Sequence, residues 1–299
     1  MSTRQSFGGP WTVAKLDILS KYLNAYVRAL KNQPFDLIYI DAFAGTGHIT
    51  LAANDSKRHV SGQIGLDMLE AEESKEEIIE GSATLALRTP EQFSKYYFIE
   101  KDKDKVAELD TLVKTQFPQR SSLVTIFGGQ DCNNVLLDLC RVTDWRKTRA
   151  VLFLDPYAAE VKWETLKAVA STQAIDVWSL FPLHVVIRMM ARDGKIDPSW
   201  RPKLNSIFGD SSWEQEIYET NPQISMFDEP SVKRDNDIEK LKRYIEKQLG
   251  TVFKKVSTHS RVLLGRTNNP LFLFCFAVSN PSKSAQDLAL KVADHILLN

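Results

Sequence analysis

Cysteine is scarce. Only Cys132, Cys140 and Cys275 occur in 299 residues. None belongs to a Cys-x-x-Cys pair, which argues against a disulfide framework or a structural zinc site. The five histidines, at 48, 59, 184, 259 and 295, share no helical or motif spacing, so no metal site is expected. No apolar run approaches the ~20 residues that a spanning helix needs, and Met1 to Gly9 lacks an apolar signal segment. The expectation is a cytoplasmic protein that does not enter a membrane. Net charge is missing too, because 38 Lys and Arg balance 38 Asp and Glu. Proteins that grip a duplex usually carry a basic surplus, so a nucleic-acid role must rest on local patches. Repeats and low-complexity linkers are absent.

What remains is an ordinary globular composition, 43% apolar and 25% charged, long enough for a single large domain over residues 1–299. Thr12 to Leu30 carries Val13, Leu16, Leu19, Leu23, Tyr26, Val27 and Leu30 at helical spacings, with Thr12 as the expected N-cap. On pattern alone, Lys15 belongs to a solvated face of that helix. Leu37 to Ile40 is a buried strand that stops at Asp41. The turn Ala42-Phe43-Ala44-Gly45-Thr46-Gly47 follows, and a helix is expected after it. Asn54 to Glu80 reads as an insertion or helix-containing excursion. Gly81-Ser82 either lies near a ligand or caps the next helix.

Further strands are expected at Tyr96–Glu100, Leu123–Phe127, Ala150–Leu154 and Ile175–Phe181. Helices are expected over Lys101–Gln116, Asn133–Leu139 and Val161–Ala170. Such alternation indicates a parallel sheet covered on both faces. Residues 185–235 break the pattern with interleaved cations and aromatics, including Arg188 and Arg192, and read as a helical insertion or cap. A helix marked by Ile238, Leu241, Ile245 and Leu249 comes next. Two closing strands, Thr251–Val256 and Leu271–Val278, are expected to pair through Gly265 and Asn268-Asn269-Pro270. A final helix spans Ala285–Leu297.

Four strands end at acids: Asp41, Glu100, Asp131 after a Gly-Gly extension, and Asp155. The carboxyl ends of parallel strands share one edge, where ligands bind. Glycines 45 and 47 let backbone approach a ligand closely. A carboxylate at the second strand end suits a ribose diol, and an acid after the third suits an adenine amino group. A dinucleotide site is the competing use of such a turn, disfavoured because Gly-x-Gly lacks the third glycine.

This order of acids resembles motifs I to IV of class I S-adenosylmethionine-dependent methyltransferases. The resemblance implies a Rossmann-like fold with a mostly parallel seven-stranded sheet and an antiparallel late strand. It also implies S-adenosylmethionine as cofactor, held by Asp41, Phe43, Ala44, Gly45, Gly47, Glu100 and Asp131. Asp155, Pro156 and Tyr157 then form the catalytic motif, similar to the Asp/Asn-Pro-Pro-aromatic motif of enzymes that methylate exocyclic amines of nucleic-acid bases. The motif here departs from that pattern: one proline is missing, and Ala158 stands where the aromatic would be. Read without the resemblance, Asp155-Pro-Tyr157 is a tight turn at a strand end.

Over residues 7–298 the chain resembles the three-Cys-motif partner family of bacterial proteins. The residues that carry this are Gly8-Gly-Pro-Trp-Thr-Val-Ala-Lys-Leu16, Tyr39-Ile-Asp-Ala-Phe-Ala-Gly45, Tyr97-Phe-Ile-Glu100, Asp155-Pro-Tyr157 with Trp163-Glu-Thr-Leu166, Ile175-Asp-Val-Trp-Ser-Leu-Phe-Pro182, and Pro270-Leu-Phe with Phe276-Ala-Val-Ser-Asn-Pro281. That likeness implies a companion protein bearing a three-Cys motif, and leaves open a cofactor-binding partner that performs no methylation. The Asp155-Pro-Tyr157 likeness implies an RNA or DNA acceptor. Asp41-Ala-Phe-Ala-Gly-Thr-Gly47, Gly81-Ser82 ahead of Phe98-Ile-Glu100, and the N-terminal helix also resemble, more distantly, bacterial ribosomal-RNA adenine methyltransferases, a similarity that brings Lys15 to the cofactor edge.

Overall fold

The computed structural model describes residues 10–51, 77–191, 194–220, 232–234 and 238–299. Arg192 and most of the 54–80 excursion lie outside them. The chain opens with helix α1 (Pro10–Leu30) and runs into strand β1 (Asp36–Asp41). The helix starts two residues before Thr12, which is buried in its first turn rather than capping it. A strand, not a helix, directly follows Gly47: β2 (His48–Leu51) pairs antiparallel with β3 (Glu77–Glu80), and α2 (Ser82–Leu87) comes after β3. A strand takes the place of the expected helix because β2 finds a distant partner that local pattern does not reveal.

The alternation then proceeds through β4 (Lys95–Glu100), α3 (Lys103–Gln116), β5 (Val124–Gly128), α4 (Cys132–Val142), β6 (Thr148–Leu154), α5 (Trp163–Ser171) and β7 (Ile175–Phe181). The cap region contributes α6 (Leu183–Met189), α7 (Trp200–Phe208) and α8 (Ser212–Ile217), with a short ribbon of β8 (Tyr218–Thr220) and β9 (Val232–Arg234). Helix α9 (Ile238–Val252) takes the residues expected to begin a closing strand, leaving only Lys255–Val256 as β10. The hairpin partner of β12 (Pro270–Val278) across Gly265 is instead β11 (Arg261–Leu264), and α10 (Lys283–Leu298) ends the chain.

One sheet holds the fold, in the order β10-β12-β7-β6-β1-β4-β5, with β11 also pairing β12. The pairings from β7 through β5 are parallel, and β12 runs antiparallel to β7. In chain order of the core strands this is the 3-2-1-4-5-7-6 arrangement of a Rossmann-like class I methyltransferase fold, reached by crossovers that place helices on both faces.

Side-chain alternation divides the core between those faces. Ile38, Ile40, Leu152, Leu154, Leu273 and Cys275 belong to one cluster, shared with α4, α5, α9 and the cap. Leu37, Tyr39, Val151, Phe153, Phe274 and Phe276 belong to the other, shared with α1, α2 and α10. Trp178 is fully buried between Phe274 and Phe276, with ring centroids 4.9 and 4.7 Å away. Both faces being sealed, the strand ends are where polar chemistry reaches solvent.

Candidate functional site

Asp41 ends β1 with no exposure at all. Its Oδ1 accepts the Phe43 N–H at 3.1 Å and its Oδ2 accepts the Tyr39 hydroxyl at 3.2 Å. The Ser82 hydroxyl, at the start of α2, also hydrogen-bonds it. Burial pushes the carboxyl from 3.8 up to about 6, with the nearby Asp155 charge adding to the rise and the three hydrogen bonds opposing it. A cation placed beside this carboxylate would offset the cost of burying its charge. Ser82 thus lines the acid cluster and does not cap its helix, which has no side-chain cap.

The turn beyond Asp41 is held from two sides. Ala44 donates its N–H to the Ile99 carbonyl at 3.0 Å, and Gly45 donates to Glu100 Oε2 at 2.9 Å. Gly45 and Gly47 adopt φ of +61° and +82°, the left-handed region that side chains resist. They differ in surroundings. A Cβ on Gly45 would meet nothing within 4 Å, whereas one on Gly47 would lie 3.0 Å from Leu112 and 3.1 Å from the Thr84 hydroxyl. The Gly47 carbonyl accepts both the Gly81 N–H and the Thr84 hydroxyl at 2.7 Å. One glycine is pinned and the other presents open backbone.

Glu100, half-buried at the end of β4, accepts the Asp102 N–H on Oε1 at 2.8 Å as well as Gly45 on Oε2. Each oxygen keeps a second lone pair. Asp131 is exposed and caps α4, where its Oδ1 accepts from the backbone of Asn133 and Asn134 at 3.0 and 3.4 Å. It stands at the rim, on the same edge but outside the Asp41 cluster.

Asp155 follows β6 and accepts from Lys15 Nζ, a residue 140 positions away. Lys15 is only 4% exposed, so the solvated-face reading of its helix is overturned. Its ammonium lies 4.7 Å from the Trp11 ring centroid, one helical turn earlier. Trp11 in turn meets Phe272 at 5.1 Å, and Phe272 meets His184 at 5.3 Å. His184 Nδ1 lies 2.9 Å from the Leu271 carbonyl, so that nitrogen carries the proton. Pro156 is buried and Tyr157 is 72% exposed. The loop after them is anchored by Asn133, whose amide group bridges Asp131, the Glu160 carbonyl, the Lys162 N–H and Thr165.

Asp41, Gly45, Glu100, Asp155 and Lys15 therefore share one edge, with Phe43 and Ala44 shaping the turn between them. Trp11, Tyr39 and Asn133 were missed by sequence reasoning, whereas Ser82 takes the ligand-side alternative expected of it. The spacing of Trp11 and Lys15 at i, i+4 was a usable signal; Tyr39 and Asn133 act through contacts that only the fold creates. Among the described residues no group of His, Cys, Asp and Glu is arranged to hold a metal ion, and no helix is long and apolar enough to cross a membrane.

No protein-family model and no curated protein sequence matches the chain. Solved structures do resemble it in backbone. Protein LPL1258 from Legionella pneumophila matches with a TM-score of 0.48 and 13% identity, covering 95% of this chain and 91% of its own. A putative S-adenosylmethionine-dependent methyltransferase from Listeria monocytogenes gives 0.36 and 10%, over 86% and 97% of the two chains. A putative methyltransferase, yhhF, from Escherichia coli gives 0.32 and 10%, over 79% and 92%. At such distances these neighbours assign no role to any residue.

Proposed function

We propose that the chain is an S-adenosylmethionine-dependent methyltransferase whose acceptor is an exocyclic amine of a nucleic-acid base. The observation that carries the reading is the gathering of Asp41, Glu100 and Asp155 around the open backbone of Gly45, at the carboxyl edge of a sheet with this strand order. These residues fit the cofactor. Glu100 keeps a free lone pair on each oxygen for a ribose diol, and the open side of Gly45 leaves room beside it. Asp41, strained toward neutrality by burial, is relieved by a nearby cation. Asp131 suits the adenine side from the rim. When bound, the cofactor supplies an electrophilic methyl group on a sulfonium.

The chain's own part is positioning. Asp155 accepts an N–H of the acceptor amine and turns its lone pair toward the methyl group. Pro156 fixes the backbone that aims Asp155, and the exposed Tyr157 ring offers a face for a base to stack on. Lys15 neutralises and orients Asp155 from within the Trp11 helix. A base inside a duplex has to leave its stack to reach this edge.

A second reading has one observation in its favour: Lys15 already occupies the carboxylate that an acceptor amine needs. On that reading the chain is a cofactor-binding partner of a three-Cys-motif protein and transfers no methyl group.

Calorimetric titration of S-adenosylmethionine into the native protein should give heat that the Asp41→Ala variant loses. Absence of heat with native protein at millimolar ligand would remove the cofactor. Labelled methyl transfer to RNA, DNA and protein pools should then favour one nucleic-acid pool and vanish in Asp155→Ala. Cofactor binding without transfer to any pool, together with co-purification of the three-Cys-motif protein, would instead select the second reading.

A further inference from the structure

Between residues 238 and 261 seven Lys and Arg stand against two Glu, in a chain that balances overall. Several converge on a cleft of about 400 Å³ between the end of α9 and β10, lined by Arg243, Lys247, Gly250, Lys254, Lys255 and Thr258 among others. Lys255 pairs with Val278, and Val278 pairs with Asp176 near the start of β7. The cleft therefore lies at the amino end of the sheet, opposite the acids.

Part of this charge has a structural account. Lys247 is paired with Glu216, and the last carbonyls of α9 favour one cation beside them. Lys254 and Lys255 are both exposed and have no acidic partner among the described residues. The single acid in the lining, Glu246, is half-buried, and its Oε1 is closed off from solvent without a hydrogen-bond partner. Gly250 is the second observation. A glycine inside a helix costs about 1 kcal/mol relative to alanine, yet a Cβ there would meet nothing within 4 Å. Packing does not require it; what it provides is bare helix backbone on the cleft wall.

We propose that this cleft binds the phosphodiester backbone of a nucleic-acid strand. The lining favours that ligand over an acidic protein. Phe253 is buried and Val256 half-buried, so the cleft lacks the exposed apolar anchor on which protein interfaces rest. Cations and hydroxyls alone suffice for phosphates. The site is independent of the methyl-transfer reading and stands at the other end of the sheet.

Fluorescence anisotropy of the full-length chain with mixed-sequence single-stranded RNA and DNA across a salt series tests it, with polyglutamate as competitor. Lys254→Glu combined with Lys255→Glu should weaken oligonucleotide binding about tenfold and flatten the plot of log affinity against log salt by about 1.4, two phosphates at about 0.7 each. Lys254→Gln with Lys255→Gln gives the same reading if charge reversal lowers the melting temperature. The measurement needs no S-adenosylmethionine, so failure of methyl transfer leaves this result intact. Unchanged affinity and slope in the double variants would overturn the proposal. So would polyglutamate binding as tightly as the oligonucleotides and depending on the same lysines, which would assign the cleft to an acidic protein.

Discussion

Asn133 uses all four hydrogen-bonding positions of its side chain, and two of them hold the loop that follows Asp155. Being 2% exposed, it has no water to replace a lost partner. Asn133→Ala strands the Thr165 hydroxyl and the Lys162 N–H, at about 1–3 kcal/mol for each buried group left unmade. We expect chemical denaturation to show a loss of at least about 2 kcal/mol. Methyl transfer should fall further than cofactor affinity, because the loop carries Asp155 and not Asp41. The residue was invisible in sequence for a plain reason: an Asn two positions after an N-cap Asp looks like helix start and nothing more. Periodicity alone misplaced Lys15 for a related reason, since the acid that draws it inward stands 140 residues later.

The turn at 42–47 illustrates what an element adds to its residues. Both glycines share a left-handed backbone, but only Gly47 is packed against Leu112 and Thr84. Gly45→Ala should therefore cost about 1–2 kcal/mol, the price of the left-handed backbone alone, and should weaken S-adenosylmethionine binding by filling the open side. Gly47→Ala should cost at least about 1 kcal/mol more from crowding. Thermal melts of the two variants, compared with their calorimetric titrations, separate the effects; a Gly47 variant more stable than the Gly45 variant would refute the assignment. At this scale the sequence was most readable where strands are parallel and fully buried. Ile175–Phe181 matches its expected bounds, and the other core strands agree within a residue or two. It was least readable where an element depends on a distant partner or lies at an edge. His48–Leu51 is a strand only because Glu77–Glu80 pairs with it. Arg261–Leu264 went unseen because its exposed Arg261 and Leu264 blur the alternation.

At the scale of the whole molecule, the two most deeply buried acids among the described residues set a pH response. Burial raises Asp41 to about 6 and Asp176 to about 7, the latter opposed by the Tyr22 hydroxyl at 2.8 Å and by Arg149. Each folded carboxyl binds its proton more tightly than the unfolded one at 3.8. The stability they contribute is present at low pH and is lost as pH rises from about 4 to 7, by up to about 1.4 kcal/mol per unit for each group. Asp176→Asn, at the end of the sheet away from the Asp41 cluster, should flatten that decline and melt higher than the native chain at neutral pH. Melting curves across that range decide it, and an unchanged slope would show that Asp176 does not titrate there. The order of the acids along the chain made the working edge legible, because a parallel sheet turns sequence order into spatial neighbourhood. The basic cleft was not legible, because its lysines gather only once α9 and β10 meet.

The ladder between β2 and β3 closes on itself before the chain reaches α2, and Gly81 donates back to Gly47 at its base. The two ends of the intervening segment, Leu51 and Glu77, are thus neighbours across a hairpin. Joining them through a short Asn-Gly turn would meet the geometry that antiparallel strands already prefer, and closing so short a loop carries little entropy. Such a replacement should leave the turn beneath it, where Gly81 meets Gly47, unchanged.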